Sequence, residues 1–392
     1  MRLLALTTSY PLRPGMAAGV FVRRLYEHMP NDWCVDVLCP DDGEGVVPES
    51  TTQKVTAVRY APRAWQRIGQ RHGGILPALR KNRWLLLLVP GFLGALAFAV
   101  LRHARNADVI HANWSISGAI AIAIGSLTRK GVVTTLRGED ATAASAPWAR
   151  PLLSICLRYS DAIVCVSTPM AGVLLRLYPR HASKIFVIHN GVDAGLFGLE
   201  RPEAHSDRLR ILAIGSLIHR KGFDVLIRAM GKMKANCSVD LVIAGDGPER
   251  KRLDALAASL PPSRRVSWLG EVPPERVPEL LSAADVLVLS SRSEGRPNVV
   301  LEALAAGMPV VSTRLPGVSD LVVDGVTGWL SDVDDVTSMA KALDAASDAA
   351  TRISLGKAAR LAAIARNETW GLTAEKYARL FRSVINRRTE FA

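Results

Sequence analysis

The amino-acid sequence predicts an α/β protein with two doubly wound domains of similar size that face each other across a cleft. The chain has 392 residues, and at about 150 residues per domain this length suggests two domains. Short apolar runs alternate with helix-like stretches in the first half, and the same alternation returns in the second half. Such alternation builds parallel sheets with helices on both faces. Each half is therefore expected to form a Rossmann-like domain.

The first domain is predicted to span residues 1–190. Several of its apolar runs are hydrophobic at consecutive positions, as expected for parallel strands that are covered on both faces. Strands are predicted at 3–8, 35–39, 109–111, 132–136, 162–166 and 185–188, and helices at 20–29, 116–127, 148–158 and 170–178.

A linker is predicted at 191–208, because Gly, Pro, Glu, Asp and His are concentrated there. A second domain is predicted at 209–370, and a C-terminal helix at 371–392 is expected to cross back to the first domain. Within the second series, strands are predicted at 209–214, 240–244, 266–269, 286–289 and 310–313. Helices are predicted at 223–233, 250–259, 277–283, 299–306, 336–347, 352–366 and 372–385.

Positive charge is concentrated in the first half of the chain. The formal net charge is +13, and residues 1–185 alone contain 22 basic and 11 acidic residues. Residues 54–105 contain ten Lys or Arg and no Asp or Glu, and they enclose an uncharged run of 18 residues at 84–101. Basic residues around an apolar segment favour anionic lipid. Nucleic acid is disfavoured, because no recognition motif accompanies the charge.

Three interpretations of residues 84–101 compete. A transmembrane helix needs about 20 apolar residues, and this run is shorter and is interrupted by Pro90 and Gly91. Strands are also predicted on both sides of it, so a membrane span would split one sheet. The alternatives are a helix buried in the domain and a helix partly inserted in the membrane interface. The sequence leaves these two open.

Cysteine usage and the N-terminus indicate a cytoplasmic protein. Five scattered cysteines without a Cys-x-x-Cys pair do not form a disulfide framework or a zinc knuckle, and they point to a reducing compartment. The apolar stretch at the N-terminus is too short for a signal peptide and is better explained as a first strand.

The first candidate site lies between Glu294 and Glu302. Pro297 is expected in the first turn of a helix, which would leave the N–H groups of Asn298, Val299 and Val300 free to bind an anion. The two carboxylates could then hold sugar and ribose hydroxyls on either side of a diphosphate. The alternative is a capped helix with surface acids.

The second candidate site follows the strand predicted at 209–214. Gly215 and Ser216 end this strand, and Arg220 and Lys221 lie on the loop before the next helix. Two cations on a strand-to-helix loop would neutralise a diphosphate leaving group. The alternative is a basic loop that is only solvated.

Together these segments resemble the retaining glycosyltransferases of family 4, which have the GT-B fold. The stretch from Glu294 to Glu302, followed by Ala-Gly-Met-Pro-Val-Val, is the most specific part of the resemblance. The matching segments occur in order at 14–19, 108–114, 135–140, 189–193, 215–222, 245–248, 270–272, 284–294 and 302–311.

The resemblance implies a role for several residues. Lys221 would bind the donor diphosphate, Glu294 would contact hydroxyls of the donor sugar, and Glu302 would hold the ribose. The backbone near Val272 would meet the base. The glycine loop around Gly19 would close over the donor. Gly215, Ser216 and the helix amides would complete the donor site.

This chain departs from the family pattern at two positions. Ser216 stands where the family commonly has Arg, and Arg220 could compensate for it. Arg137 stands where many members have His, at a position that the resemblance places near the donor sugar. His111 and Asp140 are candidate acceptor-side residues, although a histidine on a buried strand end is often structural.

The expected reaction transfers a hexosyl group, with retention, from a UDP- or GDP-sugar to a saccharide or a lipid-linked saccharide. No metal or other cofactor is expected, because cations and helix amides would stabilise the leaving diphosphate and no Asp-x-Asp pair follows a predicted strand. The expected location is the inner face of the cell membrane, through peripheral association with anionic lipid. Two alternatives are a nucleotide-sugar epimerase of the same fold and a non-catalytic nucleotide-sugar-binding subunit.

Overall fold

The computed structural model describes residues 1–13, 15–44, 53–66, 68, 75, 79, 82–137, 140, 150–200 and 207–390. The chain forms two compact units, Met1–Gly191 together with Trp370–Ala392, and Val192–Thr369. Some predicted features fall outside the described residues: Pro14 and 138–139 of the matching segments, 148–149 of a predicted helix, 201–206 of the predicted linker, and parts of 67–81 in the basic segment.

The strands form two parallel sheets, ordered β3-β2-β1-β4-β5-β6-β7 in the first unit and β10-β9-β8-β11-β12-β13 in the second. Their bounds are β1 Arg2–Leu6, β2 Cys34–Pro40, β3 Gln53–Val58, β4 Val109–Asn113, β5 Gly131–Leu136, β6 Ala162–Cys165, β7 Ile185–Val187, β8 Arg208–Ile214, β9 Ser238–Ala244, β10 Arg264–Gly270, β11 Val286–Leu289, β12 Val310–Thr313 and β13 Gly328–Ser331.

The described helices follow the strands as the alternation predicts. They are α1 Val20–Glu27, α2 Val89–Ala104, α3 Ser115–Thr128, α4 Arg150–Tyr159, α5 Thr168–Leu177, α6 Phe223–Lys232, α7 Arg250–Ala257, α8 Val277–Ala283, α9 Asn298–Ala305, α10 Pro316–Ser319, α11 Val336–Ala346, α12 Ala349–Arg366 and α13 Trp370–Glu390. Short 3-10 turns lie at Arg63–Trp65, Arg83–Leu88, Pro179–Lys184, Ala194–Gly198, His219–Lys221 and Pro274–Arg276.

Both sheets are buried on their two faces. In β1, Leu3 and Ala5 pack in one apolar layer, whereas Leu4 and Leu6 pack in the layer on the other side. This follows from the alternation of side chains along a strand, and it explains why the strand is apolar at consecutive positions. Strand β4 is buried along its whole length. The two sheets confirm the predicted class of two Rossmann-like domains.

The first six strands of each sheet follow the same order, and in each sheet this order reverses direction at one place, the switch point. Strand β1 lies between β2 and β4, and strand β8 lies between β9 and β11. In doubly wound sheets, ligands bind beyond the carboxyl ends of the strands at the point where the strand order reverses. The loops after β8 and β11 are therefore the first place to look for a site in the second unit.

The sequence pattern missed the edge strands β3 and β13. Strand β3 is only half-buried at three of its six positions, and β13 has four residues with a half-exposed centre. Both lack a continuous apolar run, because β3 reads Gln-Lys-Val-Thr-Ala-Val and β13 reads Gly-Trp-Leu-Ser.

The C-terminal helix α13 belongs to the first unit. It packs against α1, β4 and β5, and Tyr377 and Phe381 are buried in that core. The Thr373 hydroxyl donates to the His189 carbonyl oxygen at 3.1 Å. The predicted linker contributes to the second unit instead, because Val192 and Leu196 are buried in its core.

Candidate functional site

The switch point of the second unit brings a cation and a carboxylate together. Lys221 lies on the 3-10 turn after β8, and Glu294 lies on the loop after β11. The Lys221 Nζ donates to Glu294 Oε1 at 2.6 Å. The two side chains are 17% and 9% exposed, so the ion pair is largely removed from water.

Glu294 is held in its ionised form. The Ser291 hydroxyl donates to the same Oε1 at 2.7 Å. Burial by itself would raise the pKa of Glu294, but the Lys221 charge and hydrogen bond, the Ser291 hydroxyl and the Arg220 charge lower the pKa below its ordinary value. A carboxylate with this pKa is a hydrogen-bond acceptor at neutral pH.

A close backbone approach fixes the position of the Lys221 turn. Gly222 has φ of 64°, and a Cβ atom there would lie 2.0 Å from the Ser290 carbonyl oxygen. Only glycine fits both the left-handed conformation and the contact. The Ser290 hydroxyl also donates to the Lys221 carbonyl oxygen at 3.0 Å. The two loops are thus joined by their backbones as well as by the ion pair.

Arg292 joins the same two loops and was missed by the sequence analysis. Its N–H donates to the Arg220 carbonyl oxygen at 2.7 Å, and its guanidinium donates to both oxygens of Asp224 at 3.1 Å. Burial would raise the pKa of Asp224, but the Arg292 hydrogen bonds and charge lower it. Arg292 thus links the loop after β11 to the turn that carries Lys221, and nothing in its spacing distinguishes it from a solvated arginine.

The helix after Glu294 corrects one prediction. Helix α9 begins at Asn298, with Pro297 as its N-cap. The Val300 N–H donates to the Pro297 carbonyl oxygen at 3.1 Å, so it is not free as predicted. A tight first turn gives this amide a partner inside the chain. Asn298 and Val299 are half-buried in the same turn, and Glu302 is half-buried one turn further on.

Further predicted donor-site residues lie at the carboxyl ends of the neighbouring strands β8, β9 and β10. The Gly215 N–H donates to the Ala244 carbonyl oxygen at 2.9 Å, and the Ser216 carbonyl oxygen accepts from Ile218 at 2.8 Å. Ser216 is half-buried, and so is Val272, which lies two residues after β10. The structure places these residues at the carboxyl ends of β8, β9 and β10, on the side predicted for the donor.

A buried ion pair involves Arg296, two residues after Glu294 on the same loop. The Arg296 Nη2 and Glu368 Oε2 are 2.6 Å apart, and their side chains are 2% and 12% exposed. The Glu368 carbonyl oxygen accepts from Val192 at 2.8 Å. Arg296 therefore connects the Glu294 loop to the segments where the chain enters and leaves the second unit.

An Asp-x-Asp pair follows a strand that the sequence pattern missed. Asp332 and Asp334 come directly after β13, and the Asp334 carboxylate pairs with Arg292 at 2.7 Å. Among the described residues, no group of three or more His, Cys, Asp or Glu side chains is arranged to hold a metal ion.

In the first unit, Arg137 lies just after β5 and is 5% exposed. Its guanidinium donates to Asn113 Oδ1 at 2.9 Å and to Asn190 Oδ1 at 3.2 Å. The guanidinium carbon lies 4.3 Å from the centre of the Phe21 ring and 5.7 Å from the Trp114 ring. Burial lowers the pKa of Arg137. The asparagine carbonyls and the aromatic rings stabilise the buried charge.

His111 has the environment of a structural histidine. It is fully buried, and its Nδ1 and Nε2 share hydrogen bonds of 2.8 Å with the Tyr26 and Thr135 hydroxyls. Burial, with a smaller effect of the Arg137 charge, lowers the pKa of His111 to about 3. These contacts favour the structural alternative over a role as acceptor base.

Asp140 and Gly19 also have structural partners. The Asp140 carboxylate accepts from the backbone N–H groups of Arg137 at 2.9 Å and of Ser115 at 3.1 Å. Burial raises the pKa of Asp140, and these hydrogen bonds oppose the rise. Gly19 is the N-cap of α1 with φ of 77°, and a Cβ atom there would lie 2.4 Å from the Ser9 carbonyl oxygen.

The predicted site residues are divided between the two units. Lys221, Arg220, Glu294, Gly215, Ser216, Glu302 and Val272 lie on the second unit, and Arg137, His111, Asp140 and Gly19 lie on the first. The partners that hold these groups were missed, because single asparagine, serine, tyrosine and arginine residues carry no spacing signal. They are Asn113, Asn190, Tyr26, Ser291 and Arg292.

The fold and the site define the class of a GT-B glycosyltransferase, and comparison with known proteins agrees. Residues 18–196 match the family model described as Glycosyltransferase Family 4, and residues 199–366 match Glycosyl transferases group 1. The chain belongs to this glycosyltransferase family, whose members use nucleotide-sugar donors.

Three known proteins illustrate the similarity. The D-inositol 3-phosphate glycosyltransferase of Corynebacterium diphtheriae is 32% identical over 312 residues, which cover 72% of each chain. The lipopolysaccharide core biosynthesis glycosyltransferase LpsE of Rhizobium meliloti is 36% identical over 191 residues, or 48% of this chain and 54% of that protein. Sucrose-phosphate synthase of Thermosynechococcus elongatus has the same fold, with a TM-score of 0.81, 23% identity and coverage of 99% and 100%.

Proposed function

We propose that the protein is a retaining hexosyltransferase that needs no metal ion and works in the cytoplasm. It would transfer a hexosyl group from a UDP- or GDP-sugar to a saccharide or lipid-linked saccharide in the synthesis of a cell-surface polysaccharide or glycolipid. The observation that carries the proposal is the ion pair between Lys221 and Glu294 at the switch point of the second unit. The similarity to a lipopolysaccharide core glycosyltransferase supports the acceptor class.

The two members of the pair can contact different parts of the donor, Lys221 the diphosphate and Glu294 the sugar. A lysine ammonium has three N–H donors, so Lys221 can keep Glu294 and still donate to a diphosphate oxygen. Lys221 and Ser291 both donate to Oε1 of Glu294. The other oxygen, Oε2, can then accept from hydroxyls of the donor sugar. A carboxylate fixed in this way orients the sugar without becoming covalently attached to it.

Departure of the nucleoside diphosphate is the step that needs most stabilisation. Lys221 and the neighbouring Arg220 supply positive charge where negative charge develops on the leaving phosphate. Glu294 is already engaged by Lys221 and Ser291, so it is a poor nucleophile. We therefore favour attack of the acceptor on the face that the diphosphate leaves, with the phosphate taking the acceptor proton.

The test is turnover with a panel of UDP- and GDP-sugars and saccharide acceptors, with and without a chelator. Nuclear magnetic resonance of the product should show the anomeric configuration of the donor. Lys221→Ala should reduce kcat by on the order of 10²–10³, the usual loss when one charge-stabilising contact is removed. Wild-type turnover by a folded Lys221→Ala protein would contradict the assignment.

The same experiment separates the alternatives. An epimerase would change the sugar of the donor without any acceptor, and a non-catalytic subunit would bind the nucleotide sugar without releasing product. Inversion at the anomeric carbon would contradict the retaining mechanism. Loss of turnover with the chelator, restored by a divalent cation, would contradict metal independence.

A further inference from the structure

The apolar segment of the first unit forms a continuous helical element with one exposed face. The 3-10 turn Arg83–Leu88 leads directly into α2, so that 22 residues from Arg83 to Ala104 are helical. The most apolar stretch of 18 residues in this element has a mean hydropathy of 2.4, yet only 22% of that stretch is buried. A core helix of this hydropathy would be mostly buried.

The inner face of α2 is part of the domain core. Phe92, Leu96, Val100 and Ala104 follow one another at intervals of four residues, and all four are buried. They pack in the apolar layer that covers β1, β2 and β4. A transmembrane orientation would remove this row from the core. The element is therefore packed on the sheet rather than spanning a membrane. What remains to be explained is what its outer side contacts.

The outer side exposes large apolar groups. Trp84 is 79% exposed, Leu87 is 73% exposed and Phe98 is 67% exposed. Together with the exposed Leu86 and Leu93 they form a surface that we call the apolar face. Several large exposed apolar side chains on one element are more than the scattered single residues usual on a soluble surface, and they indicate an interaction site.

The turn before α2 is anchored to the core and capped. Leu85 is buried and anchors the turn to the core, so its neighbours on both sides point away from it. The Asn82 side chain accepts a hydrogen bond from the Trp84 N–H at 3.2 Å, which caps the turn. The aromatic side chain is thus displayed by an anchored and capped element rather than by a free loop.

The charged residues within this element and directly after it are all basic. Arg83, Arg102 and Arg105 are exposed at the two ends of the element, and residues 54–105 contain no Asp or Glu. Within the part of the chain that the structure describes, no carboxylate lies within ion-pair distance of these three arginines. They remain available to an external anion.

We propose that the apolar face and these arginines bind the surface of an anionic lipid bilayer, with the helical element lying in the membrane plane. An aromatic and aliphatic face flanked by arginines fits the acyl boundary and the anionic headgroups together. A second copy of the chain is a poorer occupant, because its own apolar face would bring the same arginines toward these ones. The inference does not depend on the donor, the acceptor or the stereochemistry of the reaction.

The experiment is sedimentation of the full chain with phosphatidylcholine vesicles that contain or lack phosphatidylglycerol. We expect binding to the anionic vesicles, weaker binding to the neutral ones and partial release by high salt. The triple variant Trp84→Ser/Leu87→Ser/Phe98→Ser should bind at least about tenfold more weakly. Arg83→Ser/Arg102→Ser/Arg105→Ser should lose the preference for anionic vesicles.

A matched control removes the same kind of side chain elsewhere. Ile353, Leu361 and Ile364 on α12 of the second unit are exposed apolar residues, and their triple serine variant should bind as the wild type does. Trp84→Phe should keep binding while losing much of the fluorescence quenching by brominated lipid. Circular dichroism and thermal melting of each variant establish that it is folded.

Two outcomes would overturn the proposal. One is equal vesicle binding by the wild type and the folded apolar-face variant. The other is a dimer in lipid-free solution that this variant abolishes, since the face would then be covered by a second copy. Turnover on a soluble acceptor, measured in parallel, shows whether the transferase activity itself has failed.

Discussion

Lys221→Met tests how much the ion pair between Lys221 and Glu294 contributes to the stability of the second unit. Charges 2.6 Å apart attract by roughly 6 kcal/mol at an effective dielectric constant of about 20. Desolvation of two largely buried groups offsets much of this. Removing one partner of a buried pair typically costs about 3–5 kcal/mol. Ser291 still donates to Glu294 in the variant, so we expect a loss near the lower end, about 3 kcal/mol at neutral pH.

The loss should depend on pH in a defined direction. In the wild type the pKa of Glu294 is lowered, so its contribution to stability is present above the unfolded pKa of about 4.3 and is lost as pH falls through the folded pKa. Without Lys221, burial should raise the pKa of Glu294 above its unfolded value. Between the two pKa values, the folded variant then carries a proton on Glu294 that the unfolded variant has lost. The free energy of unfolding of the variant therefore falls as pH rises. The difference in the free energy of unfolding between the wild type and Lys221→Met should therefore be small near pH 4 and reach its whole value near pH 7.

The assay is urea unfolding of the full chain followed by hydrogen exchange of individual peptides, which reports the second unit separately. Arg220→Met is the matched control, because it removes the neighbouring cation on the same turn and leaves the Lys221–Glu294 hydrogen bond intact. It should cost less than about 1 kcal/mol. The double variant Lys221→Met/Glu294→Gln should recover most of the stability.

Two results would refute this reasoning. A loss of the same size at acidic and neutral pH would show that the Lys221→Met effect is one of packing rather than charge. A double variant as unstable as Lys221→Met alone would show that an unpaired Glu294 is not the source of the cost.

Three further predictions concern the second unit. Glu302→Ala should weaken binding of UDP or GDP, whereas Glu294→Ala should reduce turnover more than nucleotide binding; equal losses of affinity in titration calorimetry would contradict this division. Arg296→Met should lower the free energy of unfolding by about 3 kcal/mol, because it removes the Arg296 charge from the buried Glu368 carboxylate, and addition of Glu368→Leu should restore most of it in a double-mutant cycle. Gly222→Ala should cost more than about 2 kcal/mol, because alanine is strained at φ of 64° and its Cβ would meet a carbonyl oxygen; a melting temperature equal to that of the wild type would contradict this.

The sequence by itself determined the class of fold and the residues to examine. Consecutive apolar positions mark a central parallel strand because both of its faces are covered, as in β11. The glycines and cations after β8 and the carboxylates after β11 were located by their place next to these strands. Such signals are local, so they can be recognised without the tertiary structure.

The tertiary structure alone decided which of these groups meet and which are withdrawn from solvent. Lys221 and Glu294 are 73 residues apart in the chain, and only the order of β8 and β11 in the sheet brings them within hydrogen-bonding distance. The burial of His111 between two hydroxyls depends on α1 and β5, which are also remote in sequence. The sequence indicated an apolar segment at 84–101, but the sheet decided that Phe92, Leu96 and Val100 face the core while Trp84, Leu87 and Phe98 face outward. Periodicity specifies a helix, whereas the direction of each face is set by the elements that pack against it.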